Sequence, residues 1–153
     1  MFNKTFKSKD IIGITLVILA LVAFLSHNAF WKQRNNDMKQ AVLSVDGNKL
    51  IVKIADSEEE RYKGLSGYKQ LSNDEGMLFI HPKVGRHQYV MRGMNFDLDF
   101  IFIRNNRVVD IAKNVSMGYK GIVQGATEYD KILEVPAGWC DKKGIKLGDK
   151  VVK

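Results

Sequence analysis

Four side chains have the types and spacing to act together chemically: Arg92, Asp97, Asp99 and Glu134. If the chain around them is extended, Asp97 and Asp99 share one face, because strand side chains alternate with a period of two. Asp99 sits inside the apolar run Leu98-Asp99-Phe100-Ile101-Phe102. Burying a carboxylate there costs several kcal/mol unless it is paired. One solution is a polar pocket in which Arg92 clamps an anionic group and Asp99 orients it. The other needs no ligand: an internal ion pair or turn clamp between Arg92 and Asp99 that fixes the chain path. Glu134, on a different strand, can join either arrangement.

Other constellations have simpler explanations. Ser66-Gly67-Tyr68-Lys69 has the Ser-x-x-Lys spacing in which a lysine activates a serine. It follows Gly64 in a loop-like stretch, without the further motifs that penicillin-recognising enzymes require. No Gly-x-Ser-x-Gly, phosphate-binding glycine loop, dinucleotide fingerprint or His-Glu-x-x-His occurs. His81 and His87, with Met77, Met91, Met94, Met117 and Cys140, invite a copper reading, since sulfur and imidazole suit Cu(I). Met91 and Met94 would fall on opposite faces of a strand, however, and methionine is ordinary core filler. A single cysteine excludes a disulfide framework or a zinc site built on two thiolates. Cys140, beside Trp139, reads as a half-buried structural thiol. No catalytic residue, metal-ligand set or cofactor is assigned.

These residues need a scaffold, and 153 residues suffice for one domain with an appendage. The net charge of +7 is unevenly spread. Residues 1–40 carry six basic side chains (Lys4, Lys7, Lys9, Lys32, Arg34, Lys39) against Asp10 and Asp37. The remainder is close to balanced, which gives no footprint for nucleic acid. From Ile11 to Trp31 there is no charge, and 16 of the 21 positions are apolar. As a helix this segment would extend about 31 Å, matching a hydrocarbon core of ~30 Å. Phe30 and Trp31 stand where an interfacial aromatic belt is expected. A cleaved signal peptide is disfavoured because His27 occupies a position that should be small. The sequence thus predicts a cytoplasmic tail (1–10), a transmembrane anchor (11–31) in contact with the lipid bilayer, a polar tether (32–40) and a β-rich domain (41–153). Three basic residues flank each side of the span, so charge alone leaves its orientation open.

Within the domain, Ala41–Val45 and Lys49–Ala55 flank Asp46-Gly47-Asn48, a good hairpin signal. Ser57 and Glu60 form a capping box for a short helix that Gly64 can end, which accounts for the acidic triplet Glu58–Glu60. Further strands are expected at Met77–Ile80, His87–Met91, Leu98–Ile103, Arg107–Lys113 and Tyr129–Val135, with a last one near Asp149–Lys153. Asn105-Asn106 and His81-Pro82 read as turns. Ala137–Lys143 suits one helical turn closed by Gly144, and Gly118–Gly125 reads as a mobile loop. Many short strands with few helices predict a mainly β domain, a small sandwich or barrel.

Three motifs resemble domain-of-unknown-function family 192, a widespread prokaryotic family. The first is Glu60-Arg61-x-x-Gly64-Leu65, continuing through Leu71 to Gly76-Met77-Leu78-Phe79. The second runs from Tyr89-Val90-Met91-Arg92-Gly93-Met94 to Asp97-Leu98-Asp99-Phe100-Ile101-Phe102. The third is Ile132-Leu133-Glu134-Val135-Pro136-Ala137-Gly138, ending at Gly148-Asp149. The resemblance implies a small β-rich domain, often exported or membrane-tethered, with no settled biochemical role. Arg92 and Asp99 match its basic and acidic positions. Val90 stands where the family usually has Trp, Asp97 where it has Pro, and Ser116-Met117 where a Pro soon follows the Asn-Val pair.

The leading expectation is therefore a membrane-anchored, extracytoplasmic, non-catalytic binding or accessory domain that recognises an unidentified envelope ligand or protein partner. An envelope-glycan hydrolase using Asp99 with Asp97 or Glu134 as acid and base is the alternative. A metal-handling protein is the third.

Overall fold

The structure, a computed structural model, describes residues 14–27 and 38–153. They fall into two units, Met1–Met38 and Lys39–Lys153. In the first, residues 14–27 form helix α1, whose side chains are all exposed. Ser26 Oγ donates to the carbonyls of Val22 and Ala23, so its hydroxyl is satisfied within the helix. Fourteen residues extend about 21 Å. Among the described residues no helix is long and apolar enough to cross a membrane. Both ends of the expected 11–31 span, the tail and most of the tether lie outside the described residues.

The second unit is one seven-stranded mixed sheet. Its strands are β1 (Gln40–Val45), β2 (Asn48–Ala55), β3 (Glu75–Gly85), β4 (Leu98–Arg104), β5 (Arg107–Val115), β6 (Tyr129–Pro136) and β7 (Val151–Val152). Helix α2 (Glu58–Lys63) lies between β2 and β3, and α3 (Trp139–Lys143) precedes β7. The spatial order is β5-β4-β6-β3-β2-β1-β7. All pairs are antiparallel except β2–β3, which run parallel because α2 carries the chain back between them. The sheet curls until its two edge strands touch at one end, where Arg107 bridges Lys150 and Val108 N–H donates to Asp149 O at 2.9 Å. Of the two expected architectures it is a half-barrel. The sandwich is not formed, since the described residues contain no second sheet.

Turn chemistry sets the hairpins. Asp46 and Gly47 both have positive φ (47° and 81°), as do Asn105 and Asn106 (52° and 56°). These left-handed conformations match the strand twist, and Asp, Asn and Gly tolerate them. Two strand expectations change. His87–Met91 is no strand; Tyr89 alone bridges Val123. His81-Pro82 is no turn, because β3 continues to Gly85. The β3–β6 register breaks between Ile80 and Gly85, which leaves Pro82 without a ladder bond to lose.

The sheet has two apolar faces. Leu43, Val45, Leu50, Val52, Leu78, Ile101, Ile103, Leu133 and Val135 fill the inside of the curl, with Trp139 and Cys140 of α3 packed among them. Gly76 of β3 is packed closely against this face. A Cβ there would stand 2.9 Å from the Glu134 carbonyl oxygen and 3.1 and 3.2 Å from Leu133 and Leu50 methyls. Backbone on the central strand cannot move aside. Gly76→Ala is therefore expected to cost about 1–3 kcal/mol, measurable as a lowered urea midpoint at unchanged slope. The opposite face carries Met77, Phe79, Phe100, Phe102 and Ile132, all buried, together with Glu134.

Candidate functional site: a pocket above Glu134

The first motif builds one wall of a pocket on this second face. Ser57 caps α2, accepting from Glu60 N–H at 3.2 Å, while Glu60 Oε2 accepts from Ser57 N–H at 2.9 Å. The Arg61 side chain reaches out from the helix and donates to the Asp56 and Ile80 carbonyls, the latter at 3.0 Å, fastening α2 to β3. Gly64 ends the helix at φ 48°, where a Cβ would press on the Phe79 ring at 3.2 Å. Leu65 is buried next to it.

The second motif supplies the facing wall. Tyr89 exchanges two backbone hydrogen bonds with Val123, both 2.9 Å. Its ring meets Phe79 edge-on at 5.3 Å and Phe100 at 6.2 Å. Met91 is buried. The loop is tied to the other wall by Gly67 N–H donating to Gly93 O and Ser66 Oγ donating to Arg92 O. Between the walls lies a cavity of about 330 Å³.

Glu134 forms the floor. Its register partners are Phe100 on β4 and Met77 on β3, so its side chain projects among buried apolar groups. It is 5% exposed, and its carboxyl makes no hydrogen bond or ion pair among the described residues. Burial pushes its pKa up to about 8. The side chain is therefore largely the neutral acid at pH 7, with an O–H to donate into the cavity. No neighbouring cation offsets the effect of burial.

Beside the floor, the Tyr89 hydroxyl and His81 Nε2 are 2.6 Å apart. The His81 pKa falls to about 4, chiefly through burial and then through His87 and Arg61. The imidazole is thus neutral and shares this hydrogen bond with the phenol. Burial also raises the Tyr89 pKa. His87 stacks on His81 at 3.5 Å, nearly parallel.

Among the four residues singled out in the sequence, the structure brings Arg92 and Glu134 to this one cavity. Arg92 is at its rim, donating to the Tyr62 hydroxyl at 3.1 Å, with its guanidinium over the Tyr62 ring at 5.6 Å. Asp99 is elsewhere, and the Arg92–Asp99 ion pair is not formed. It is fully buried on the inner face, accepting the N–H groups of Asn114 (2.7 Å) and Cys140 (2.9 Å). It is a clamp on the chain path through backbone donors. Asp97 precedes β4, is exposed, and accepts Met117 N–H at 2.7 Å, so it does not share a strand face with Asp99.

His81 and His87 are stacked, and His81, Met91 and Met94 line the pocket, but Met77 and Cys140 do not line it. Met77 and Met91 are core, Cys140 is wholly buried rather than half-buried, and burial raises its thiol pKa. Among the described residues no three His, Cys, Asp or Glu side chains are grouped to hold a metal ion. The sequence did not mark Tyr62, His81 or Tyr89 as pocket residues. They converge only through contacts between distant segments and carry no local spacing signal.

The fold is thus a half-barrel that carries an aromatic-walled pocket with a buried acid at its floor. The model of the family DUF192, described as "Uncharacterized ACR", matches residues 41–153, and the chain belongs to that family. Two solved structures share the fold. One is a protein from Sinorhizobium meliloti 1021, provisionally described as a transcription regulator. It is 23% identical, covering 75% of this chain and 94% of that one, with a TM-score of 0.72. The other is a protein of unknown function from Novosphingobium aromaticivorans DSM 12444. It is 28% identical, covering 76% and 86%, with a TM-score of 0.71. Comparison with curated proteins gives no match.

Proposed function

We propose that this domain is a non-catalytic binding module that takes a small ligand in the cavity above Glu134. We further propose that residues 11–31 anchor it in a membrane, with the domain on the extracytoplasmic side and an envelope component as its ligand. One observation carries the binding reading. A carboxyl held neutral by burial, without a hydrogen-bond partner, opens onto a cavity of about 330 Å³. Carboxyls whose pKa burial has raised this far concentrate at functional sites. The charge-free run from Ile11 to Trp31 supports the anchor.

The glycan-hydrolase alternative needs two carboxyls facing one cleft. Asp99 points to the opposite side of the sheet from Glu134, and Asp97 is engaged by a loop amide. That arrangement favours binding over acid–base chemistry.

Amide NMR of the full chain in detergent micelles tests the pocket. Titration with a panel of small aromatic acids, sugars and amines is expected to shift the amides of Tyr62, Tyr89, Met91 and Glu134 together. Shifts confined to other surfaces, or none with any member, would refute this binding site. Flotation of the full chain with lipid vesicles checks the anchor; protein remaining in the aqueous fraction would refute it.

A further inference from the structure

We infer that the cavity selects organic acids of about monosaccharide size, with the ligand's neutral oxygens meeting Glu134 and its carboxylate or phosphate meeting Arg92 at the rim. The inference rests on the binding function proposed above and adds the chemical class of the ligand.

The two ends of the cavity differ. At the floor, a neutral carboxyl offers an O–H donor, and the Tyr89 hydroxyl is committed to His81. A hydroxyl, ether or carbonyl oxygen satisfies that donor. A cation would fit only after the acid lost its proton. At the rim, Arg61 and Arg92 are the guanidinium groups that line the cavity. Arg61 is used on backbone carbonyls. Arg92 spends one N–H on Tyr62, and the rest of its planar fork makes no hydrogen bond among the described residues. The guanidinium lies over the Tyr62 ring, and its planar geometry suits two-pronged contact with an oxyanion.

Glu134 lies at the floor and Arg92 at the rim of one cavity. A ligand must therefore span both ends to use both. Between them stand the rings of Phe79, Tyr89 and Phe100, suited to the C–H faces of a saturated or aromatic ring. A six-membered ring bearing an acid group fits this volume and polarity.

Four probes of one ring type separate the possibilities: glucuronate, glucose 6-phosphate, glucose and glucosamine, titrated into the full chain by calorimetry and amide NMR. Glucuronate or glucose 6-phosphate is expected to bind at least about tenfold more tightly than glucose, the ratio expected of one charge-assisted contact. Whichever of the two is tighter identifies the acid group as carboxylate or phosphate. Glucosamine should bind most weakly. Arg92→Gln should reduce the acid to the level of glucose with an unchanged melting temperature, since Arg92 is exposed. Glu134→Leu should weaken acids and glucose alike.

Glucosamine binding best, or an acid preference that survives Arg92→Gln, overturns the assignment of ligand class while leaving the pocket itself in use. If no probe binds, the class is also overturned. The pocket then stands or falls on whether other members of the wider panel shift Tyr62, Tyr89, Met91 and Glu134.

Discussion

Asp99→Ala is expected to lower the folding stability by about 3–5 kcal/mol, enough to leave a domain of this size barely folded. The carboxylate accepts Asn114 N–H at 2.7 Å with one oxygen and Cys140 N–H at 2.9 Å with the other. Those donors belong to the end of β5 and to α3, segments that the sheet ladder does not join. Asn114 is in the left-handed region at φ 53°, a conformation that needs support from its surroundings. Removing the carboxylate orphans two amides and releases the helix that carries Trp139 into the core. Asp99→Asn should be intermediate, because its amide oxygen can accept only on one side and its NH₂ confronts the other donor. Urea denaturation of the two variants checks the order. If Asp99→Ala melted like the parent protein, the clamp would be refuted.

Much of this architecture was readable in the sequence because local chemistry dictated it. Asp46-Gly47 and Asn105-Asn106 name their turns through residues that accept positive φ. The capping box at Ser57 and Glu60 forms as the sequence implied. Elements fixed by distant partners were harder to read. His87–Met91 alternates like a strand, yet only Tyr89 finds a partner, across the pocket loop. Pro82 reads as a chain reversal, but the broken register beside it lets β3 run on.

The candidate site was legible only in part, for a physical reason. Rules for buried charge lead one to pair Arg92 with Asp99, because pairing is the common solution for ions in a core. Asp99 instead found backbone donors, which leave no trace in residue types. Glu134 took a solution those rules count as costly, a neutral acid with no partner. Alternation along Ile132-Leu133-Glu134-Val135 shows that Glu134 opposes Leu133, but not which face carries a cavity.

That cost leads to the second large effect. Glu134→Gln is expected to stabilise the protein, with a gain that depends on pH in one direction. The folded-state pKa is about 8, against an ordinary value of 4.5. Below pH 4.5 the acid is protonated in both folded and unfolded chains, and its ionisation costs the fold nothing. Between 4.5 and 8 the unfolded chain releases the proton while the folded one keeps it, so stability falls as pH rises. Above 8 the loss levels off. Integrated over this window, the penalty is of order 3–5 kcal/mol.

Glutamine keeps the shape and the donor but cannot ionise, so the penalty disappears. The difference between variant and parent should therefore be small near pH 4, grow through neutrality and level off near pH 9. Denaturant titrations at several pH values measure it. The titratable and charged groups lining the cavity with Glu134 are Tyr62, Tyr89, His81, Arg61, Lys63, Glu58 and Arg92. Of these, His81 titrates near 4, and its contribution is common to both proteins and cancels in the difference. A flat difference, or one that favours glutamate at high pH, would mean that the folded state holds the carboxylate ionised and paired. The acid floor on which the ligand assignment depends would then be absent. A rise through this window would instead identify Glu134 as a residue kept at the expense of stability, as groups retained for binding commonly are.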